Sequence, residues 1–296
     1  MIITLLAIFQ YAVQATVDLM DKFLISTRKI EPLAYTFYTV VMGLLIVLIW
    51  PLTYFSLPIK FILLNLLSGA FFSLVMYVFF KALSQGEASR VVPFVFGLVP
   101  VFDILISITT GRGILTAAEV AAMCLLIPGA LLVSHQKHSS WGKHLALKTA
   151  SAFLFSSYYA LWKFGAQLGP TLNNLIWNRL GAAAVLLVLL CWPIFRKKIF
   201  SVQQKVPNKK STAAMFLFKQ VLGGANFIFL SFLFVLGKIS IINALQGFRY
   251  IFLLLFSKLI TKKRRHLIEE DDSKFVFTQK TAGIILIFLG TIFLFI

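Results

Sequence analysis

Apolar residues fill the chain in blocks of about 20, the length a helix needs to cross the roughly 30 Å hydrocarbon core of a bilayer, and short polar or basic links separate the blocks. The pattern predicts ten helices: Ile2 to Ile25, Pro32 to Pro51, Ile59 to Phe80, Val91 to Thr110, Leu115 to Ser134, Leu145 to Gln167, Pro170 to Phe195, Thr212 to Leu236, Ile239 to Ile260 and Phe277 to Ile296. Most links are short, so consecutive helices are expected to be antiparallel neighbours. Two are longer and polar, "RKKIFSVQQKVPNKKS" from Arg196 and "TKKRRHLIEEDDSK" from Thr261, and are expected to be solvated loops.

The two halves of the chain share a pattern. "DKF" at Asp21 to Phe23, "EP" at Glu31 to Pro32, Gly43 and "WP" at Trp50 to Pro51 correspond to "WKF" at Trp162 to Phe164, "GP" at Gly169 to Pro170, Gly181 and "WP" at Trp192 to Pro193. Further on, "GEAS" from Gly86 matches "GKIS" from Gly237. Each half holds five predicted helices, and two odd-numbered repeats in series must enter the membrane from opposite sides. The expected fold is therefore all-α, a polytopic membrane protein with ten transmembrane helices in two inverted five-helix repeats. Residues 1–138 form the first and residues 139–296 the second.

Composition agrees with a membrane protein. The chain is 59% hydrophobic, 13% charged and carries 31 phenylalanines, with a mean hydropathy of +0.91, which excludes a soluble globular domain. The opening "MIITLLAIFQYAVQ" lacks a basic region and a small-residue cleavage site, so the first segment is expected to stay in place. A net charge of +18 could suggest nucleic acid, but the charges fall in links between apolar runs and not on one basic face. They are better used as a topology signal. Lysines and arginines concentrate in the odd-numbered links; the even ones hold Lys60, Arg112 and Lys238 singly, and the sixth holds none. The expectation is an integral protein of the plasma (inner) membrane with both termini on the non-cytoplasmic side. Cys124 and Cys191 lie in apolar windows and offer neither a disulfide framework nor a metal site.

"KALSQGEASRVVPFVFGLVPVFDIL" from Lys81, "NRLGAAAVLLVLL" from Asn178, "GALLV" at Gly129 and "GTIFL" at Gly290 resemble elements of the drug/metabolite transporter superfamily, in particular its ten-helix EamA-like members. The first is similar to the hairpin of the family's third and fourth helices, the second to the second helix of a repeat, and the last two to the glycine-bearing ends of each repeat. The resemblance spans nearly the whole chain and implies a transporter without implying its substrate. Two departures stand out: "TTGRGILT" replaces the family's frequent glutamate after the fourth helix, and Arg179 is matched in the first half by Val41.

Ionisable groups at membrane depth usually face protein or a water-filled cavity. Asp103, Arg179 and Arg249 fall near predicted helix centres. On the ninth helix Asn243, Gln246, Arg249 and Tyr250 share an arc of about 120°. The seventh groups Asn174, Trp177, Asn178 and Arg179, and the first aligns Gln10, Gln14 and Asp18. The fifth and tenth helices are nearly free of polar groups and are expected to be peripheral. Arg249 has two readings: a structural ion pair with Asp103, or a contact that holds an anionic or zwitterionic solute, since guanidinium matches carboxylate and phosphate.

These observations point to a secondary transporter moving a small metabolite by alternating access, not to an enzyme. The cavity candidates are Arg249, Arg179, Gln246, Asn243, Trp177, Asn178, Gln14 and Tyr250. Asp103 and Asp18 are the candidates for a coupling proton or ion, or for a structural pair. The expected partners are a small-molecule substrate and the lipid bilayer, with no cofactor, metal or nucleic acid, in a monomer or homodimer. The alternatives are a flippase for a lipid-linked head group and a non-transporting membrane scaffold.

Overall fold

The computed structural model describes residues 2–53, 56–111, 115–135, 141–237, 239–263, 271 and 273–294. Its helices follow the apolar blocks. The first span, Ile2–Thr27, is α1 (Ile2–Lys22) extended by a π-helical turn over Phe23–Thr27. The second starts with proline in its first turn, α2 (Pro32–Gly43), and tightens into a 3₁₀ stretch over Leu44–Leu52. Then come α3 (Ile59–Gln85), α4 (Ala88–Thr109) and α5 (Ala117–Ser134). A capping box starts α5: the Glu119 amide donates to the Thr116 hydroxyl, and the Thr116 amide donates to the Glu119 carboxylate.

The second half continues with α6 (Trp141–Ala166), α7 (Thr171–Leu190), α8 (Pro193–Lys205), α9 (Lys209–Leu236), α10 (Ile239–Ala244), α11 (Gly247–Lys263) and α12 (Lys274–Phe293). Nine helical runs among the described residues are long and apolar enough to cross a membrane. The chain is thus an all-α polytopic membrane protein. Although α6 has the length, its Lys148, Lys163, serines and tyrosines keep it out of that set.

Two predicted elements need correction. The stretch from Arg196 is not a loop: most of it is α8, which restarts at Pro193 after a turn at Cys191–Trp192 ends α7. Proline suits a first helical turn, where no backbone donor is lost, and Ile199 is buried as the helix packs beside α2. The predicted continuous ninth helix is two pieces, with Leu245–Gln246 as a turn between α10 and α11. Directly after this turn, Gly247 packs so closely on the Phe288 ring of α12 that a β-carbon there would lie 2.1 Å from it. Residues 264–270 of the other predicted loop lie outside the described residues, as do residues 136–140 of the central link.

Packing runs between the halves. Helix α1 lies against α9 and α11, α6 lies against α3 and α4, and α5 packs along α12. An aromatic knot fills the centre, with the Phe96 and Phe155 rings 4.9 Å apart and Phe79 at 5.7 and 5.6 Å from them. Large apolar side chains such as Leu5, Phe9, Leu48, Leu187 and Phe232 point outward, as a lipid-facing surface requires.

The odd-numbered links meet on one face of the bundle. Lys22 Nζ donates to the Leu83 carbonyl at 2.9 Å, and Arg90 Nη1 to the His135 carbonyl at 2.6 Å. Glu87 binds both Arg90 and Lys280 and accepts from the Asp271 amide at 3.3 Å. Ile30 of the first link and Val206 and Lys209 of the seventh line a common cavity.

Candidate functional site

Helix α1 carries Gln10, Tyr11, Gln14, Asp18 and Asp21, whose three- and four-residue spacings put them on one stripe. That stripe faces the second half. Arg249 grips Asp18 through two nitrogens on one edge of its guanidinium, Nε to Oδ2 at 2.7 Å and Nη2 to Oδ1 at 2.9 Å. A bidentate pair of this kind is the strongest geometry available to the two groups, and both side chains are buried. One turn further, Asp21 meets Lys219 of α9 at 2.6 Å and accepts the Tyr35 hydroxyl of α2. One turn in the other direction, Gln14 donates to Asp18 at 3.4 Å and accepts from Asn226 of α9 at 2.9 Å. A single first-half helix thus binds α9 and α11 through polar contacts at three levels.

The break between α10 and α11 belongs to this network. A gap in a membrane helix frees backbone groups that need partners. Here the chain tightens, with the Gln246 amide bonding to the Asn243 carbonyl and the Arg249 amide to the Gln246 carbonyl, each at 3.0 Å. The Ile242 carbonyl also accepts the Tyr11 hydroxyl at 2.9 Å. Arg249 therefore stands in the first turn of α11, and Asp18 lies near the positive end of that helix. Asn243 and Gln246 sit half-buried at the break, and Tyr250 is buried beside Arg249. The guanidinium lies over the Phe96 ring, 4.3 Å from its centre.

The expected Arg249–Asp103 pair does not form. Asp103 lies at an exposed position of α4 and accepts the Ser156 hydroxyl of α6, while Asp18 occupies the guanidinium. Position along a helix is legible from sequence; rotation between helices is not. The sequence did hold a partial signal, because no Asp or Glu occurs between Glu119 and Glu269. Lys219 and Arg249, the buried cations of α9 and α11, can take a carboxylate at membrane depth only from the first half, where Asp18, Asp21 and Asp103 are the choices, and the rotation of the helices selects the first two. Tyr11, Tyr35 and Lys219 were missing from the predicted site, though the four-residue spacing of Gln10, Gln14 and Asp18 marked the stripe.

Arg179 is different. It lies over the Phe72 ring at 4.2 Å and beside Gly43, within electrostatic reach of Tyr158, and no carboxylate pairs with it among the described residues. Trp177, on the same helix, meets Trp50 edge to face at 5.5 Å. Asn178 is buried in the contact of α7 with α3, where its amide donates to the Ser68 hydroxyl at 2.8 Å.

Two seams between the halves differ sharply. Along α3 and α7 the backbones almost touch: a β-carbon on Gly69 would lie 1.9 Å from the Asn178 carbonyl oxygen, and one on Gly181 would lie 2.1 Å from the Leu66 oxygen. Ser73 donates across the seam to the Ala182 carbonyl at 2.9 Å. Between α2 and α9, by contrast, lies a cavity of about 340 Å³, lined among others by Tyr35, Tyr38, Lys209, Thr212 and Phe216. The Phe216 ring stands 5.4 Å from Tyr35 and 6.3 Å from Tyr38. Tyr35 joins this cavity to the ion pairs, since its hydroxyl binds Asp21.

No family model matches the chain, and no curated protein does. Among solved structures, one crystal structure of a protein is similar over 99% of this chain and 95% of its own, with a TM-score of 0.51 and 15% sequence identity. At that identity the likeness is one of fold.

Proposed function

We propose that the chain is a secondary transporter of the ten-helix EamA-like type, in which two inverted five-helix halves rock about a central site. In this reading α6 is the tenth span, stripped of apolar character because it faces protein. The reciprocal packing of α1 on α9 and α11, and of α6 on α3 and α4, supports an inverted duplication. The observation that carries the proposal is the inequality of the two seams. In an inverted repeat the α2–α9 and α3–α7 seams are equivalent, and alternating access requires one to open while the other closes. Here α3–α7 is sealed at Gly69 and Gly181, and α2–α9 holds a cavity on the face where the basic links gather.

The solute is anionic or zwitterionic. Asp18 neutralises Arg249, which leaves Arg179 as the cation for a solute carboxylate or phosphate, with Phe72 and Tyr158 beside it. The test is flux in proteoliposomes across a panel of carboxylates, amino acids and sugar phosphates. Arg179→Gln should abolish uptake of the solute that moves and leave the melting temperature unchanged, with Arg179→Lys retaining part of it. In a background without Cys124 and Cys191, that solute should also slow maleimide labelling of Ala213→Cys as the α2–α9 seam closes. Flux that survives Arg179→Gln would remove the arginine from the site; a panel in which nothing moves would remove transport.

A further inference from the structure

We propose that the cavity between α2 and α9 is a binding site for one anionic phospholipid, its phosphate at the basic rim and the upper part of an acyl chain among the aromatic rings. The walls are suited to hydrocarbon: Ile30, Tyr38, Val206, Ala213 and Phe216 contribute most of them. At about 340 Å³ the space is roughly twice that of the ~150 Å³ apolar cavity that takes up benzene, so it admits a run of methylenes and not a whole lipid.

The rim is cationic. Lys209 lines the cavity, and Lys210 is exposed next to it. Arg196, Lys197 and Lys198 are exposed on α8, the helix that leads into the cavity wall at Val206. In the two links that bound the mouth, Glu31 is the single carboxylate.

Helix α8 puts this mouth at the level of lipid head groups. It follows the α7 span after a two-residue turn and exposes Trp192, Ile194 and Phe200 together with its basic side chains, the composition of a helix lying in the interface. A head group at Lys209 would thus lie where head groups already are, with its tail directed toward Tyr35 and the Asp21 contact below it. A soluble anion would use the rim but not the apolar walls; a neutral lipid would use the walls but not the rim.

The test needs no transport assay. Purified protein is exposed to mixed micelles holding equal phosphatidylglycerol and phosphatidylcholine, and retained lipid is counted by native mass spectrometry. Wild type should keep phosphatidylglycerol in clear preference. Lys209→Gln with Lys210→Gln should lower that preference by roughly fivefold per charge, the factor that corresponds to about 1 kcal/mol for a basic side chain near an anionic surface. Ala213→Trp, which fills the cavity and spares the rim, should lose the retained lipid. Equal retention of the two lipids would overturn the proposal, as would full retention by either variant. Thermal stabilisation by inorganic phosphate equal to that by phosphatidylglycerol would also do so, by reducing the site to a free-anion patch. Retained lipid in a protein that moves no solute would sink the transport reading and leave this one standing.

Discussion

At the scale of single residues, the Asp18–Arg249 pair is the contact whose loss should cost most. Taking charges out of water is expensive, and removing one partner leaves the other buried without compensation. Asp18→Asn should lower stability by about 3 kcal/mol, followed as thermal unfolding in detergent. The double variant Asp18→Leu with Arg249→Met should recover most of that loss, because it removes both charges and keeps the volume. Asp103→Asn should change little, since the hydroxyl of Ser156 is its contact and the residue is exposed. Equal losses for Asp18→Asn and Asp103→Asn would contradict this assignment. Arg249 was legible from sequence as a membrane-depth cation, and the long carboxylate-free stretch confines its partner to the first half, but the choice of Asp18 over Asp103 was not legible because it depends on helix rotation. The edge-to-face approach of Trp50 to Trp177 was not, because it depends on how the 3₁₀ stretch turns its side chains.

At the scale of elements, hydropathy located the spans but not their interruptions. Nothing in the apolar count separates α10 from α11, and the break falls beside a glycine that meets Phe288 of another helix. The solvated-loop reading of Arg196 to Ser211 failed for a similar reason: its charges are those of a loop, but Phe195 and Ile199 recur at the four-residue spacing of a helix lying on α2, where the Phe200 ring stands 6.0 Å from Phe37. The small-residue contacts yield a paired prediction. Gly69→Ala forces apart a crossing that has no room, and should destabilise by about 1 to 3 kcal/mol in thermal unfolding. Gly224→Ala, on α9 with nothing within 4 Å of the new methyl, should be neutral or stabilising by up to about 1 kcal/mol through helix propensity. If both variants melted like wild type, the α3–α7 seam would be looser than its geometry states.

At the scale of the whole molecule, the meeting of the odd-numbered links on one face agrees with the alternation of basic charge along the chain. In the topology proposed from the positive-inside rule, that face is the cytoplasmic one. In a background lacking both native cysteines, Thr110→Cys should react with a membrane-impermeant maleimide on intact cells, and Ser273→Cys only after permeabilisation. The reverse pattern would invert the molecule. That the odd-numbered links share a face was readable from block length and link charge, but which seam holds the cavity was not, since that depends on contacts between helices far apart in sequence.

The carboxylate-free stretch also bears on how the protein is made. When α9 and α11 leave the ribosome, no carboxylate has yet been made in their own half, whereas Asp18 and Asp21 were synthesised long before. The second half must therefore enter the bilayer as an incomplete body in which Lys219 and Arg249 gain their carboxylate partners only on docking against α1. Expressed alone it should be a substrate for quality control, and supplying the first half as a separate chain should rescue it.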